Sequence, residues 1–296
     1  MVGVFRRSLS FPNKNSTRPS KPSISHHVRS VSLPCRSHPL ISHLKDEINQ
    51  LKTWDSKSDN PTSAWLCDGL CRLRNVHFSL DDLLQLPQTQ ESLRREPDFV
   101  EKLLEDFIRF VDVYGIFQTS VMALKEVQSA AQVAIRRRDE LKIALYVKAL
   151  KKMAKEMNKL VSTVRCIGRC SVQEPVSVSD GDDELAAIIK DVNEVTVSVS
   201  VALFNGVSLL SSSRKSSWMG LKLAKKNKVE EVIQEFKQVG VESFWGLRKK
   251  GDEEVRMALK RMQELEGSIG CIESGSEKVF RSLINTRVSL LNVLTQ

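Results

Sequence analysis

The residue pattern in this chain that is best suited to chemistry occurs twice near its start. Each copy reads R-S-x-S-x-P and places an arginine three residues before its second serine, which is the spacing that a basophilic kinase reads. The key positions are Arg7, Ser10, Pro12, Arg29, Ser32 and Pro34. A phosphate on either second serine would add roughly −1.5 to −2 charges and three acceptor oxygens. The pattern predicts two phosphorylation sites within one short segment.

The phosphorylated form of this pattern resembles the docking motif of 14-3-3 proteins, phosphoserine readers that hold the phosphate with clustered arginines. Residues 1–44, which contain both copies, hold ten Ser, five Pro and five Arg and no acid. A merely soluble basic tail has the same composition, so that alternative stays open. Because 22 residues separate Ser10 from Ser32, one dimeric reader could hold both sites.

Histidine, the usual general base near neutral pH, offers no catalytic site elsewhere in the sequence. Four of the five histidines lie in or beside the basic N-terminal segment, at His26, His27, His38 and His43. The fifth, His77, falls within a helical pattern, and its spacing identifies no partner, so we interpret it as structural. The sequence contains no Walker loop and no G-x-G-x-x-G, G-x-S-x-G or H-E-x-x-H pattern. We therefore predict a non-enzymatic protein without catalytic residues.

Two C-x-x-x-C pairs, Cys67 with Cys71 and Cys166 with Cys170, would each place both sulfurs on one face of a helix. Four thiolates can hold zinc. That site would require the two segments to meet, however, and the spacing is not the usual C-x-x-C. We predict small buried residues here rather than a metal site, and no cofactor.

Three pairs of adjacent carboxylates fall near predicted helix ends or on polar faces. They are Asp81 with Asp82, Asp182 with Asp183, and Glu253 with Glu254. Acids are favourable at a helix N-terminus and soluble on a polar face, so solvated charge explains all three pairs.

The basic charge is concentrated in two segments. The net charge is +9, of which residues 1–44 contribute an excess of seven. A second run without acids contains Arg214, Lys215, Lys222, Lys225, Lys226 and Lys228. Nucleic acid is a disfavoured partner because few aromatic residues accompany these runs. The alternative to the phosphoserine reader is an anionic membrane surface bound by the two segments, which would make the chain a peripheral membrane protein.

The six cysteines in 296 residues are too sparse for a disulfide scaffold, and the N-terminus lacks the apolar region of a secretory signal. This predicts an intracellular protein with reduced thiols, in the cytoplasm. The Arg- and Ser-rich start also has the composition of an organelle transit peptide. Its five prolines oppose a long targeting helix, but import into an organelle stays open.

The elements that carry these residues are predicted to be helices, because apolar residues recur at steps of three and four from Pro39 onward. The segments are 40–54, 66–84, 97–138, 141–164, 182–203, 229–244 and 262–293. We predict an all-α fold, a helical bundle of about five to seven amphipathic helices over residues 39–296, with a basic linker near 211–228. A disordered Ser/Pro/Arg-rich arm precedes it over residues 1–38. Homo-oligomerisation is left open.

Two of these segments allow a second interpretation. Residues 195–201 alternate with period two like a strand, but a lone strand could not pair its backbone groups, so we prefer the helix. The uncharged stretch 195–213 is the best candidate for a membrane span. Its serines, asparagine and glycine favour a buried helix instead. In the last segment, Ser276 and Thr286 interrupt the apolar seam, which favours a bundle helix over an extended coiled coil.

Three stretches of the sequence carry a family pattern. Residues 29–40 begin with R-S-V-S-L-P, residues 68–87 contain D-D-L-L-Q-L-P, and residues 279–294 contain V-F-R-S-L-I and R-V-S-L-L-N-V-L. They resemble a plant-specific family of unknown biochemical function related to the BYPASS proteins. The resemblance spans nearly the whole chain, although residues 166–244 match only by their pattern of helices. It implies a helical plant protein associated with root and shoot development, and it provides no catalytic residues.

Overall fold

Eight α-helices account for every regular element in the residues that the computed structural model describes, namely 38–56, 61–169, 180–208, 232–239 and 251–295. They are α1 (Pro39–Ser56), α2 (Ser63–Leu84), α3 (Pro87–Arg94), α4 (Pro97–Arg137), α5 (Glu140–Arg169), α6 (Asp180–Val207), α7 (Gln234–Gln238) and α8 (Asp252–Thr295). The predicted all-α fold is confirmed.

The helices begin and end at residues whose chemistry fits those positions. Thr62 caps α2, since its hydroxyl oxygen accepts a hydrogen bond of 3.2 Å from the backbone N–H of Trp65. Pro97 starts α4 at a position where its missing N–H costs nothing. Arg138, with φ of 54°, ends α4 in the left-handed conformation and turns the chain into α5.

The region between α2 and α4 differs from the sequence prediction. The predicted segments leave residues 85–96 without a helix. Pro87 instead opens α3, because proline is as suitable at the first position of a helix as it is unsuitable inside one. Helix α5 also extends beyond its predicted end, to Arg169.

Five helices pack side by side in a closed circuit, in the order α8, α2, α6, α5 and α4, with α4 again touching α8. Helix α1 packs against both α2 and α6. The core between them is rich in aromatic side chains. Phe204 of α6 meets Tyr114 and Phe117 of α4 with ring centroids 6.0 and 5.3 Å apart. Helix α8 buries Leu265, Ile272 and other apolar residues against this core, as a bundle helix does.

The contact between α1 and α2 depends on one glycine. A Cβ atom added to Gly69 of α2 would lie 2.2 Å from Cζ2 of Trp54 in α1. The Trp54 ring stacks on Trp65 with centroids 4.1 Å apart and donates a hydrogen bond of 3.1 Å to the Trp65 carbonyl. Only a residue without a side chain allows this stacked pair to approach the backbone of α2 so closely.

The segment with conflicting patterns is helical. Within α6, Val195, Thr196, Val199 and Ser200 are buried, which is the spacing of one helix face and not of a strand. Among the described residues, α4 is the helix that is long and apolar enough to cross a membrane, on length and composition alone. Its Phe107, Phe110 and Phe117 are fully buried in the bundle. The predicted linker near 211–228 lies outside the described residues, and so does half of the predicted helix 229–244, within which the structure has α7.

Candidate functional site

The predicted phosphorylation motifs lie outside the described residues. This applies to all six key positions, Arg7, Ser10, Pro12, Arg29, Ser32 and Pro34, and equally to the basic run from Arg214 to Lys228. The motifs therefore stay predictions, and the candidate chemistry of the described body has to be sought among its own polar side chains.

Helix α6 contributes two hydroxyl groups, one turn apart, to the centre of the bundle. Thr196 donates a hydrogen bond of 2.7 Å to the Val192 carbonyl. Its oxygen lies 3.0 Å from Nε2 of His77 in α2. Because the hydroxyl proton is already used, we assign the ring proton to Nε2, which then donates to Thr196. Burial lowers the pKa of His77 to about 3, so its ring is neutral at physiological pH.

The second hydroxyl repeats this arrangement with a residue of α4. Ser200 donates a hydrogen bond of 2.6 Å to the Thr196 carbonyl, and its oxygen lies 3.1 Å from the Tyr114 hydroxyl. By the same assignment, the Tyr114 hydroxyl is the donor. Burial raises the pKa of Tyr114 above its ordinary value, and the hydrogen bond to Ser200 opposes that shift. We call His77, Tyr114, Thr196 and Ser200 the buried polar seam.

The geometry of the seam is suited to structure rather than to catalysis. All four side chains are fully buried, and they bond across three helices, so they fix the register of α2, α4 and α6. The His77 ring also packs edge-on against Phe107, with centroids 5.8 Å apart. Its Nδ1 has no hydrogen-bond partner among the described residues. The structural interpretation of His77 agrees with these contacts.

Sequence analysis missed the partners of His77 and Tyr114. The available signal was the pair Thr196 and Ser200, four residues apart on a largely apolar helix, where small polar groups meet the same neighbours. The period-two alternation around them obscured this spacing, since it suggested a strand.

A buried carboxylate in α4 was also missed. Asp106 is fully buried and lies 3.1 Å from Nζ of Lys102, one turn earlier in the same helix. Burial raises the pKa of Asp106, whereas the hydrogen bond and charge of Lys102 act in the opposite direction. Its other oxygen, Oδ2, has no hydrogen-bond partner among the described residues. Lys102 therefore compensates the buried Asp106 carboxylate in part, and the arrangement is not that of a catalytic acid and base.

The cysteines are arranged differently from the prediction. A disulfide joins Cys67 of α2 to Cys271 of α8, with Cα atoms 6.6 Å apart. Cys71 and Cys166 are exposed free thiols, and Cys170 lies outside the described residues. The prediction of small buried cysteines is therefore wrong for Cys71 and Cys166, and the pairing of Cys67 with Cys271 was not predicted. Spacing along one helix could not reveal a partner 204 residues away. The described residues contain no cluster of three or more metal-binding side chains.

Members of two of the three carboxylate pairs have partners suited to structure, and the side chain of Asp182 lies outside the described residues. Asp81 accepts a hydrogen bond from the Ser289 hydroxyl and so joins α2 to α8. At the start of α8, Glu253 lies 3.7 Å from Arg256, and Glu254 accepts a hydrogen bond of 2.9 Å from the Gly251 N–H. Acidic side chains in this first turn also interact favourably with the positive end of the helix dipole.

The fold and its buried hydrogen bonds define the class of protein as an all-α bundle whose helices are held in register by a polar seam. A family model described as Protein BPS1 matches residues 69–293, which is more than half of the chain. The chain therefore belongs to the BPS1 family, and the resemblance drawn from its motifs is confirmed. The match begins in α2 and ends in α8, so residues 29–40 lie outside it. Comparisons with curated proteins and with solved structures gave no match.

Proposed function

We propose that this BPS1-family protein is a non-enzymatic interaction protein that acts through its phosphorylated N-terminal arm. The observation that carries the proposal is the repeated R-S-x-S-x-P pattern, at Ser10 and Ser32, in a segment without acids. The helical body supports it indirectly, because the polar side chains at its centre are paired within the core, His77 with Thr196 and Tyr114 with Ser200. The developmental role in root and shoot that the family resemblance implies is part of the same proposal.

The mechanism is a charge switch on a basic arm. Each phosphate adds an anion that the arginine cluster of a 14-3-3-type reader can grip, whereas the unmodified arm presents only positive charge to that cluster. With 22 residues between Ser10 and Ser32, binding of one phosphoserine raises the effective concentration of the other at the second subunit into the mM range. Ser32 is the principal site, because the family resemblance includes its motif more clearly than that of Ser10.

The direct test measures the affinity of a purified 14-3-3 dimer for the full chain before and after phosphorylation by a basophilic kinase. We expect tight binding only after phosphorylation. Ser32→Ala should weaken it more than Ser10→Ala, and the double variant should abolish it. Ser8→Ala and Ser30→Ala are matched controls, because they remove the other serine of each motif and leave the modified serine in place.

Two results would contradict the proposal. Equal binding of the phosphorylated and unphosphorylated chains would show that phosphate does not decide the contact. Full binding by the Ser10→Ala, Ser32→Ala double variant after kinase treatment would place the contact elsewhere in the chain.

A further inference from the structure

One side of α5 presents a continuous exposed stripe of leucine and lysine. It consists of Leu141, Leu145, Lys148, Lys152, Lys155 and Lys159, all of them exposed. Successive members are four, three, four, three and four residues apart, so they lie on one side of the helix. At a rise of 1.5 Å per residue, the stripe is about 27 Å long. We call it the lysine face.

The opposite side of α5 holds this face in a fixed orientation. Tyr146, Leu150 and Met157 are fully buried, and the helix packs between α4 and α6. Since α5 cannot turn without exposing these residues, the lysine face points permanently away from the bundle.

The lysines of this face differ in their ion pairing from three lysines of other helices. Lys45, Lys52 and Lys125 lie 2.5 to 2.9 Å from carboxylates of neighbouring helices. By contrast, Lys148, Lys152 and Lys155 make no ion pair with any described residue, and Lys159 has only Glu156 of its own helix, 3.6 Å away. Helix α5 contains eight basic residues and two acids. The described residues therefore leave most of this line of positive charge without an ion-pair partner.

The leucines at the start of the face are also exposed to solvent. Leu141 is 82% exposed and Leu145 is 63% exposed, one turn apart. Together they form a small apolar knob at one end of the charged line. A partner that complements both parts must offer negative charge along the line and an apolar region that two leucine side chains can enter.

We propose that the lysine face docks on an anionic membrane surface. Lysine ammonium groups would lie among anionic headgroups, while Leu141 and Leu145 would enter the boundary between headgroups and acyl chains. A flat surface meets a straight stripe along its whole length, and long lysine side chains reach the headgroups while their methylene stems cover apolar surface. Nucleic acid offers the charge but no acyl region for the leucines, and the face carries no aromatic side chain for base stacking.

The lysine face shares no residue with the arm or with the run between Arg214 and Lys228. Docking through it does not require phosphorylation of Ser10 or Ser32. Those basic segments lie outside the described residues, whereas the lysine face belongs to a packed helix. Docking through it would place the plane of the membrane alongside α5, parallel to the helix axis.

The test is co-sedimentation of the full chain with vesicles of phosphatidylcholine and phosphatidylserine, and with vesicles of phosphatidylcholine alone. We expect binding to the anionic vesicles only. Replacing Lys148, Lys152 and Lys155 together with Gln should weaken it by roughly a hundredfold, at about fivefold for each lysine. The pair Leu141→Gln and Leu145→Gln should weaken it by about tenfold or more, since two apolar side chains no longer enter the lipid.

The matched control replaces Lys125, Lys260 and Lys278 with Gln, which removes the same charge from other faces of the bundle. It should bind almost as well as the unchanged chain. Equal losses in the two triple variants would overturn the proposal, because net charge and not the lysine face would then govern binding. Unchanged vesicle binding by the leucine variant, together with full competition by duplex DNA, would also overturn it and would identify the face as a general polyanion site.

Discussion

The buried polar seam joins α2, α4 and α6, and the lysine face lies on α5, which packs against α4 and α6, yet their polar groups have opposite surroundings. In the seam, the His77 and Tyr114 side chains each donate to a hydroxyl that is itself bonded to its own helix. On the lysine face, Lys148, Lys152 and Lys155 meet no carboxylate among the described residues. The seam brings together residues of three helices, whereas the lysine face follows steps of three and four along one helix.

The difference shows where the fold constrains polar residues and where it leaves them available. An unsatisfied polar group in the core costs about 1–3 kcal/mol, whereas an exposed charge is solvated by water and its pairing contributes about 0–1 kcal/mol. The stability of the fold therefore restricts which side chains can occupy the seam, but it does not restrict the exposed lysine positions in this way. We expect changes in the seam to alter folding and changes on the lysine face to alter binding.

The largest effect should follow from His77→Ala. This change removes a fully buried ring and leaves the Thr196 oxygen without its donor, so we expect the free energy of unfolding to fall by about 2–4 kcal/mol in urea titrations. Phe78→Ala is the matched control, because its neighbouring side chain is 66% exposed and its loss should cost at most about 0.5 kcal/mol. Equal losses of unfolding free energy at the two positions would contradict the contrast between buried seam residues and exposed residues.

The next largest effect is a dependence of stability on pH. The pKa of His77 is lowered to about 3 in the folded chain from its ordinary 6.5, so the unfolded chain binds the additional proton first as the pH falls. The neutral His77 ring therefore makes its full contribution to the free energy of unfolding above pH 6.5. This contribution is lost as the pH falls from 6.5 towards 3, at up to about 1.4 kcal/mol per pH unit.

His77→Gln isolates this effect, because Gln also has an amide donor for Thr196 but does not titrate. Urea titrations between pH 6.5 and pH 5 should show a shallower loss of stability in the variant than in the unchanged chain. The same slope in both chains would mean that His77 is accessible to protons in the folded state.

The smallest effect on stability should come from the lysine face. Replacing Lys148, Lys152 and Lys155 with Gln removes no ion pair with a described residue, so we expect the free energy of unfolding to change by less than about 0.5 kcal/mol per residue. Thermal and urea unfolding of the triple variant would measure this. A large loss of stability would show that the lysines support the bundle, and it would weaken their assignment to a docking surface.

Periodicity along the chain was sufficient to predict most of the helices. The steps of Leu40 to Trp54, the proline at position 97 and the long apolar seam ending near Val293 correspond to α1, α4 and α8. Helix α3 was missed because Pro87 serves both as the end of one helix pattern and as the first residue of another, and local sequence does not distinguish these roles. The family was also predicted from motifs, two of which overlap the matched residues 69–293.

The sequence by itself determined the helical periods, the helix boundaries at proline and the two R-S-x-S-x-P motifs, because each of these depends on residues close together in the chain. Tertiary structure alone decided that Thr196 accepts from His77, that Cys67 meets Cys271 and that three lysines of the lysine face make no ion pair with a described residue. Each of these depends on which helix lies alongside which. Packing of the whole bundle determines that arrangement, and local spacing does not encode it.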